Sequence, residues 1–235
     1  GPPPHNVVAR ALSLTQANER GLVYTPDEVR ALASVAHEHG LKVHMDGARF
    51  ANAVAAAGCR PAELTWRAGV DVLCLGASKN GALMAEAIVF FDTGVAQDFA
   101  YRVKRAGQMA AKSRLFGAQF GAWLRHDHWL ELARHANGLA RRLAQGLAGV
   151  PGVRCAWPTD ANEVFVIMPQ TLADALREQG AVFYDWPAST LPAHESLAAG
   201  ETFVRLVASF ASTASQVDAL LAAAAEAAAP ATAQS

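Results

Sequence analysis

Cysteine is scarce in this chain, and the little there is forms no pattern. Cys59, Cys74 and Cys155 are far apart, odd in number and set among apolar residues, with no Cys-x-x-Cys. That excludes a disulfide scaffold and a thiolate metal knuckle, and it fits reduced thiols in a cytoplasmic protein. Long apolar runs are also missing. None reaches the roughly 20 residues of a membrane span, and no secretory signal pattern opens the chain. Charge of one sign is lacking as well: 20 Lys and Arg stand against 21 Asp and Glu, for a net charge of −1. No basic run is interleaved with aromatics, which excludes nucleic acid as the main partner. An initiator methionine is absent too. Gly1-Pro2-Pro3-Pro4 leads almost directly into an apolar stretch, as in a piece of a longer chain or one processed at its start.

What is present is apolar material in alternating blocks. The 235 residues are 52% hydrophobic, enough for one large domain or two modest ones with a sizeable core. Residues 7–15 are apolar and β-branched and read as a buried strand. Thr25-Pro26-Asp27-Glu28 reads as a helix start, with a capping threonine, proline in the first turn and acids beside it. That helix runs to His39 and stops at Gly40. A strand over 41–45 ends at Asp46, a helix over 49–57 closes at Gly58, and a turn surrounds Pro61. A strand over 70–75 ends at Ser78-Lys79, and another covers 86–91. This β-α-β-α-β alternation, joined by right-handed crossovers, predicts an α/β fold with a mostly parallel sheet whose strand ends share one side. Residues 95–149 read as helical, broken near Gly107 and over 117–121. Trp123, Leu124, Leu130, Leu132 and Leu139 recur at helical spacing, as a core or subunit-contact stripe does. Past Pro151-Gly152 the strands are short (153–157, 164–168, 182–186, 203–207), with one helix over 172–179 among them. An alanine-rich helix over 212–229 and a frayed end over 230–235 follow. This predicts two domains: residues 1–145, and a small C-terminal α+β domain over 146–235.

Two of the strand ends carry chemistry. Asp46 and Lys79 each follow an apolar run, about one crossover apart, so both fall at the same edge of one sheet. A carboxylate there can hold a metal, accept from a ribose, pair with a cationic ring nitrogen or cap the next helix. His44, two residues earlier, shares its strand face, but nothing supplies third and fourth metal ligands, so no metal is expected. Lys79 stands among small residues. Partial burial would lower its pKa and free the amine as a nucleophile, and no Gly-x-x-x-x-Gly-Lys-Ser/Thr loop makes it a nucleotide-binding lysine. A lysine and an aspartate so placed suit pyridoxal phosphate, which needs an amine for its Schiff base and a carboxylate against its pyridine nitrogen. Arg49, three residues after Asp46, can fork onto a substrate carboxylate.

On these residues the chain resembles the low-specificity L-threonine aldolases of the β-eliminating lyase family, which are fold-type-I pyridoxal phosphate enzymes. His44-Met45-Asp46-Gly47-Ala48-Arg49-Phe50-Ala51-Asn52-Ala53 is similar to the family's aspartate block. Gly76-Ala77-Ser78-Lys79-Asn80-Gly81 is similar to its lysine block, in the form that includes phenylserine aldolases. The likeness extends through Ser13-Leu14-Thr15-Gln16, Lys104-Arg105-Ala106-Gly107 and Phe203-Val204-Arg205-Leu206-Val207. The resemblance implies that 1–145 is the C-terminal part of a large cofactor domain. It implies Lys79 as the Schiff-base lysine, Asp46 on the pyridine nitrogen, Arg49 and Arg205 on the substrate carboxylate, and Ser78 on the cofactor phosphate. His5 stands where the family has a histidine near the substrate hydroxyl. Lys104 and Arg105 stand where it has basic residues near the site.

The implied reaction is cleavage of a β-hydroxy-α-amino acid, threonine or phenylserine, to glycine and an aldehyde, in a homodimer or homotetramer. The family also has roughly a hundred residues before His5, with its phosphate loop and ring-stacking histidine. Without them the chain is expected to bind cofactor poorly and expose apolar surface. Three other readings stay open: another fold-type-I lyase or aminotransferase, an inactive fragment, and a Mg²⁺-dependent α/β enzyme built on Asp46.

Overall fold

The computed structural model describes residues 5–229. The proline run over 1–4 and the frayed end expected over 230–235 lie outside the described residues. The chain forms two compact units. One comprises the described residues up to Asn18 together with Val23–Leu132; the other comprises Glu19–Leu22 and the described residues from Ala133 onward.

The first unit holds a four-stranded sheet. Its strands are β1 (Ala11–Thr15), β2 (Lys42–Gly47), β3 (Val72–Gly76) and β4 (Glu86–Phe90), in the order β1-β2-β3-β4. The first three are parallel, and β4 runs antiparallel to β3. Shared direction of strand ends therefore stops at β3. Between β3 and β4 there is only a short hairpin-like loop, and so short a connection permits only antiparallel pairing.

Helix α1 (Pro26–Glu38) starts as its sequence predicts. Thr25 and Glu28 form a reciprocal capping box, the Glu28 amide donating to Thr25 Oγ1 and the Thr25 amide to Glu28 Oε2. Those bonds also hold the Glu28 carboxyl below its usual range. Helix α2 (Phe50–Ala57) ends at Gly58, whose φ of +62° explains the glycine. Both helices pack against β2. That covers one sheet face, where Leu14, Val43, Met45 and Leu73 are buried. The other face carries polar side chains and Ile88, which is 46% exposed.

Asp71, just before β3, gathers the lower edge of this sheet. It accepts from the Val43 amide at 2.7 Å, meets His37 Nε2 at 3.0 Å, and pairs with Lys42, which also reaches Asp92. Burial works to raise the Asp71 pKa. The Val43, His37 and Lys42 contacts outweigh it and hold the group low.

Helices α3 (Phe99–Arg105) and α4 (Arg114–Leu124) follow, then α5 (His128–Ala148), which passes from the first unit into the second. Gly107, at φ +71°, breaks the helical run as expected. Gly117 and Gly121 do not: they lie inside α4, and the break comes at 125–127. Two glycines cost a helix about 1 kcal/mol each; the buried Trp123 on the same helix supplies packing to offset that.

The second unit is an antiparallel sheet, β5 (Arg154–Cys155), β6 (Glu163–Pro169), β7 (Tyr184–Asp185) and β8 (Glu201–Val207), ordered β5-β6-β8-β7. Strand β6 is buried on both faces, which is why it reads as an unbroken apolar run. Val164, Val166 and Met168 face a core with Leu139, Leu143 and Leu147 of α5, Leu172 and Leu176 of α6 (Gln170–Glu178), and Val217 of α7 (Ala214–Ala228). Phe165 and Ile167 face Phe203 and Trp186 on the other side.

Candidate active site

The C-terminal ends of β2 and β3 bring the Asp46 and Lys79 segments side by side. Asp46 lies opposite Thr15 on β1 and opposite Cys74 on β3. Its Oδ1 accepts from the Ala48 amide at 2.9 Å. The carboxylate therefore closes a turn of its own. It does not cap α2, whose N-cap position is Arg49, with no side-chain capping bond.

That turn can lie flat against β3 because both strands end in glycine. A Cβ on Gly47 would stand 2.6 Å from the Cys74 carbonyl oxygen, and one on Gly76 would stand 2.9 Å from Ala48 Cα.

On Asp46's face of the sheet, three side chains form a chain across β1, β2 and β3. Ser13 Oγ lies 2.8 Å from His44 Nδ1, and His44 Nε2 lies 3.2 Å from Cys74 Sγ. Burial first, then the negative charge of Asp46 and Glu86, pushes the Cys74 thiol up. His44 is thus tied into a hydrogen-bonded row. Among the described residues no group of three or more His, Cys, Asp or Glu side chains is arranged to hold a metal ion.

Lys79 sits in a 3₁₀ turn, Ser78–Asn80, just beyond β3. It is exposed, which corrects the expectation of partial burial: the residue stands in the turn past the strand, not between strands. The turn itself is firmly built. Asn80 is 2% exposed. Its amide donates to the Ala77 carbonyl, Gly81 adopts φ +109°, and the Ala77 amide donates to the Ala85 carbonyl. Ser78 Oγ donates to Glu86 Oε1 at 2.9 Å and accepts from the Ala85 amide at 3.2 Å. The hydroxyl expected to face a phosphate thus faces a carboxylate here. Sequence reasoning passed over Glu86, and the only available signal was an acid opening an apolar strand.

The remaining candidates lie apart from this turn in the chain. His5 is exposed, in a bend ahead of β1. Arg49 is partly buried at the start of α2. Lys104 and Arg105 end α3. Arg205 belongs to the second unit. On β8 it faces Phe165 and Tyr184, its guanidinium lies 4.2 Å above the Trp186 ring, and it donates to Glu163 Oε1 at 3.3 Å. Glu163 is 1% exposed and is a buried anchor for that arginine; its place in an apolar run gave no hint of this role.

The profile of the beta-eliminating lyases matches residues 2–171. The chain belongs to the beta-eliminating lyase family. Its curated relatives within the beta-eliminating lyases include the low specificity L-threonine aldolase of Pseudomonas aeruginosa, 51% identical over 180 residues, which is 77% of this chain and 52% of that protein. The low specificity L-threonine aldolase of Pseudomonas sp. is 48% identical over 79% of this chain and 54% of its own length. The chain therefore spans about half the length of the curated relatives it matches. Among solved structures, the threonine aldolase of Leishmania major superposes with a TM-score of 0.86 at 26% identity, over 96% of this chain and 63% of that one. The fold is thus that of a beta-eliminating lyase of fold type I: a mixed, mostly parallel sheet flanked by helices.

Proposed function

We propose that this chain carries the lysine- and aspartate-bearing part of a pyridoxal phosphate-dependent aldolase. The enzyme would cleave β-hydroxy-α-amino acids such as threonine or phenylserine to glycine and an aldehyde. The observation that carries this reading is the pair Asp46 and Lys79 at the same end of adjacent parallel strands, in a chain 51% identical over 180 residues to a low specificity L-threonine aldolase. The donor set fits the cofactor at two points. Asp46 offers a carboxylate that would hold a ring nitrogen protonated through a charge-assisted hydrogen bond. Lys79 offers an exposed amine. It fits less well at the phosphate, because Ser78 donates to Glu86. The bound cofactor would supply the sink for the electron pair left on Cα when the Cα–Cβ bond breaks.

The chain's own residues do the rest. By the resemblance, Arg49 and Arg205 are the candidates for the substrate carboxylate, each able to act as a forked donor. A base, with His5 the candidate, takes the proton from the β-hydroxyl as the aldehyde forms. The first compact unit would be the end of a large cofactor domain and the second the small domain. The whole protein would be a cytoplasmic homodimer or homotetramer acting on a free amino acid.

Borohydride trapping tests the reading. The chain, and separately a protein of the relatives' length, are incubated with pyridoxal phosphate, reduced, digested and mapped by mass spectrometry. The longer protein should carry the adduct on the Lys79 peptide and lose it in Lys79→Ala. The 235-residue chain should carry much less. No adduct in the longer protein would refute the assignment. Release of ammonia or a keto acid in place of an aldehyde would favour another fold-type-I lyase or an aminotransferase.

A further inference from the structure

The turn that carries Lys79 is held from behind by residues far along the chain. Asn80 Nδ2 donates to the backbone carbonyl of Trp129 at 2.8 Å, and Trp123 Nε1 donates to the backbone carbonyl of Asn80 at 2.8 Å. Both indoles are nearly fully buried and lie 5.3 Å apart. Trp129 also stacks at 6.4 Å on Phe50, which follows Arg49 and opens α2. One aromatic block therefore backs both the Asp46–Arg49 turn and the Lys79 turn. Farther along the same loop, Gln119 pins Met84 twice: the Met84 amide donates to Oε1 at 3.0 Å and Nε2 donates to the Met84 carbonyl at 3.3 Å.

We infer that Asn80, braced by Trp123 and Trp129, is a positioning residue that fixes the Lys79 amine relative to Asp46. Lys79 is exposed and has a long, flexible stem. Its aim therefore depends on the backbone from which it springs. A buried asparagine with a satisfied donor immediately after it constrains that backbone. Alanine there would leave the Trp129 carbonyl and the turn without that bond. This inference rests on the reading of Lys79 given above, and it assigns Asn80 no contact with substrate or cofactor.

The test uses a protein of the relatives' length with Asn80→Ala and Trp123→Phe; the latter keeps an aromatic ring and removes the Nε1–H. The first readout needs no cofactor. Hydrogen exchange of amides 77–85 should speed up by about tenfold in either variant, the order expected for one lost buried hydrogen bond, with β1 and β2 unchanged. The second readout uses the loaded protein. The absorption band of the cofactor bound at Lys79 should change with pH over a shifted range. kcat should fall about tenfold, with KM held within about twofold, as expected when orientation rather than binding is lost.

Unchanged exchange at 77–85 in both variants would overturn the brace. So would faster exchange with an unaltered band, pH response and kcat, since the bonds would then be merely structural. If Asn80→Ala does not fold, Trp123→Phe decides alone. Absence of a reducible adduct on Lys79 in the unaltered protein would overturn the reading of Lys79 itself. An adduct formed at the same rate in the unaltered protein and both variants would overturn only the positioning role.

Discussion

At the scale of single residues, the site depends on two glycines as much as on its charged groups. Gly47 and Gly76 let the Asp46 turn and the end of β3 touch backbone to backbone. Gly47→Ala would put a Cβ 2.6 Å from the Cys74 carbonyl oxygen, and a backbone atom in a parallel sheet cannot swing aside. The expected cost is about 1–3 kcal/mol, as for other overpacked sites. Urea denaturation of the variant measures it, and a loss below about 0.5 kcal/mol would mean that the turn moves away freely. Asp46 and Lys79 were legible in the sequence because each interrupts an apolar run at a strand end. Asn80 was legible only as part of a motif. Its burial comes from tryptophans roughly forty and fifty positions later, and sequence spacing says nothing about such long-range contacts. The exposure of Lys79 was misjudged for a related reason: flanking small residues do not reveal whether anything packs over them.

At the scale of elements, capping and periodicity mark α1, α2 and the second and third strands with small shifts at their ends. The first strand is shorter and less buried than its apolar run suggests: β1 covers only Ala11–Thr15, and residues 7–10 lie outside it, with Val7 97% and Val8 48% exposed. In α4 the isolated glycines Gly117 and Gly121 do not break the helix, contrary to what their residue type suggests. The true break at 125–127 includes His126 and Asp127 in left-handed conformations, which their residue types barely signal.

The ion cluster at Asp71 joins α1, β2 and the segment after β4, and its pH response has a definite sign. Asp71 and Asp92 are both held below their ordinary value of 3.8. Carboxyls depressed in the fold add stability above their unfolded pKa and lose it as pH falls through the folded value. Asp71→Asn should cost about 1–3 kcal/mol at neutral pH. It should also flatten the fall in melting temperature on acidification below about pH 4. An equally steep acid limb in the variant would show that other groups carry it.

At the scale of the whole molecule, the sequence foretold an α/β unit followed by a smaller α+β unit. It did not foretell that residues 19–22 belong with the second unit, which no local signal marks. Apolar surface is uncovered in the chain as it stands: Leu83 is 93% exposed, Met84 62% and Leu115 59%. Patches of this kind bind apolar probes. The 235-residue chain should therefore enhance the fluorescence of a hydrophobic dye and elute above monomer mass in gel filtration. A dye-silent monomer would mean that these side chains are shielded in solution.

The order β5-β6-β8-β7 has a further consequence, for how the protein is made. Strand β8 is the seam: β6 and β7 each pair with it and not with each other. On a ribosome, β6 emerges as a sticky apolar ribbon with one edge open, and β7 has nothing to pair with. Both wait until Val207 has been synthesised. A pause in translation between residues 186 and 207 would prolong that unprotected interval, when nascent chains are most prone to aggregate or to need a chaperone.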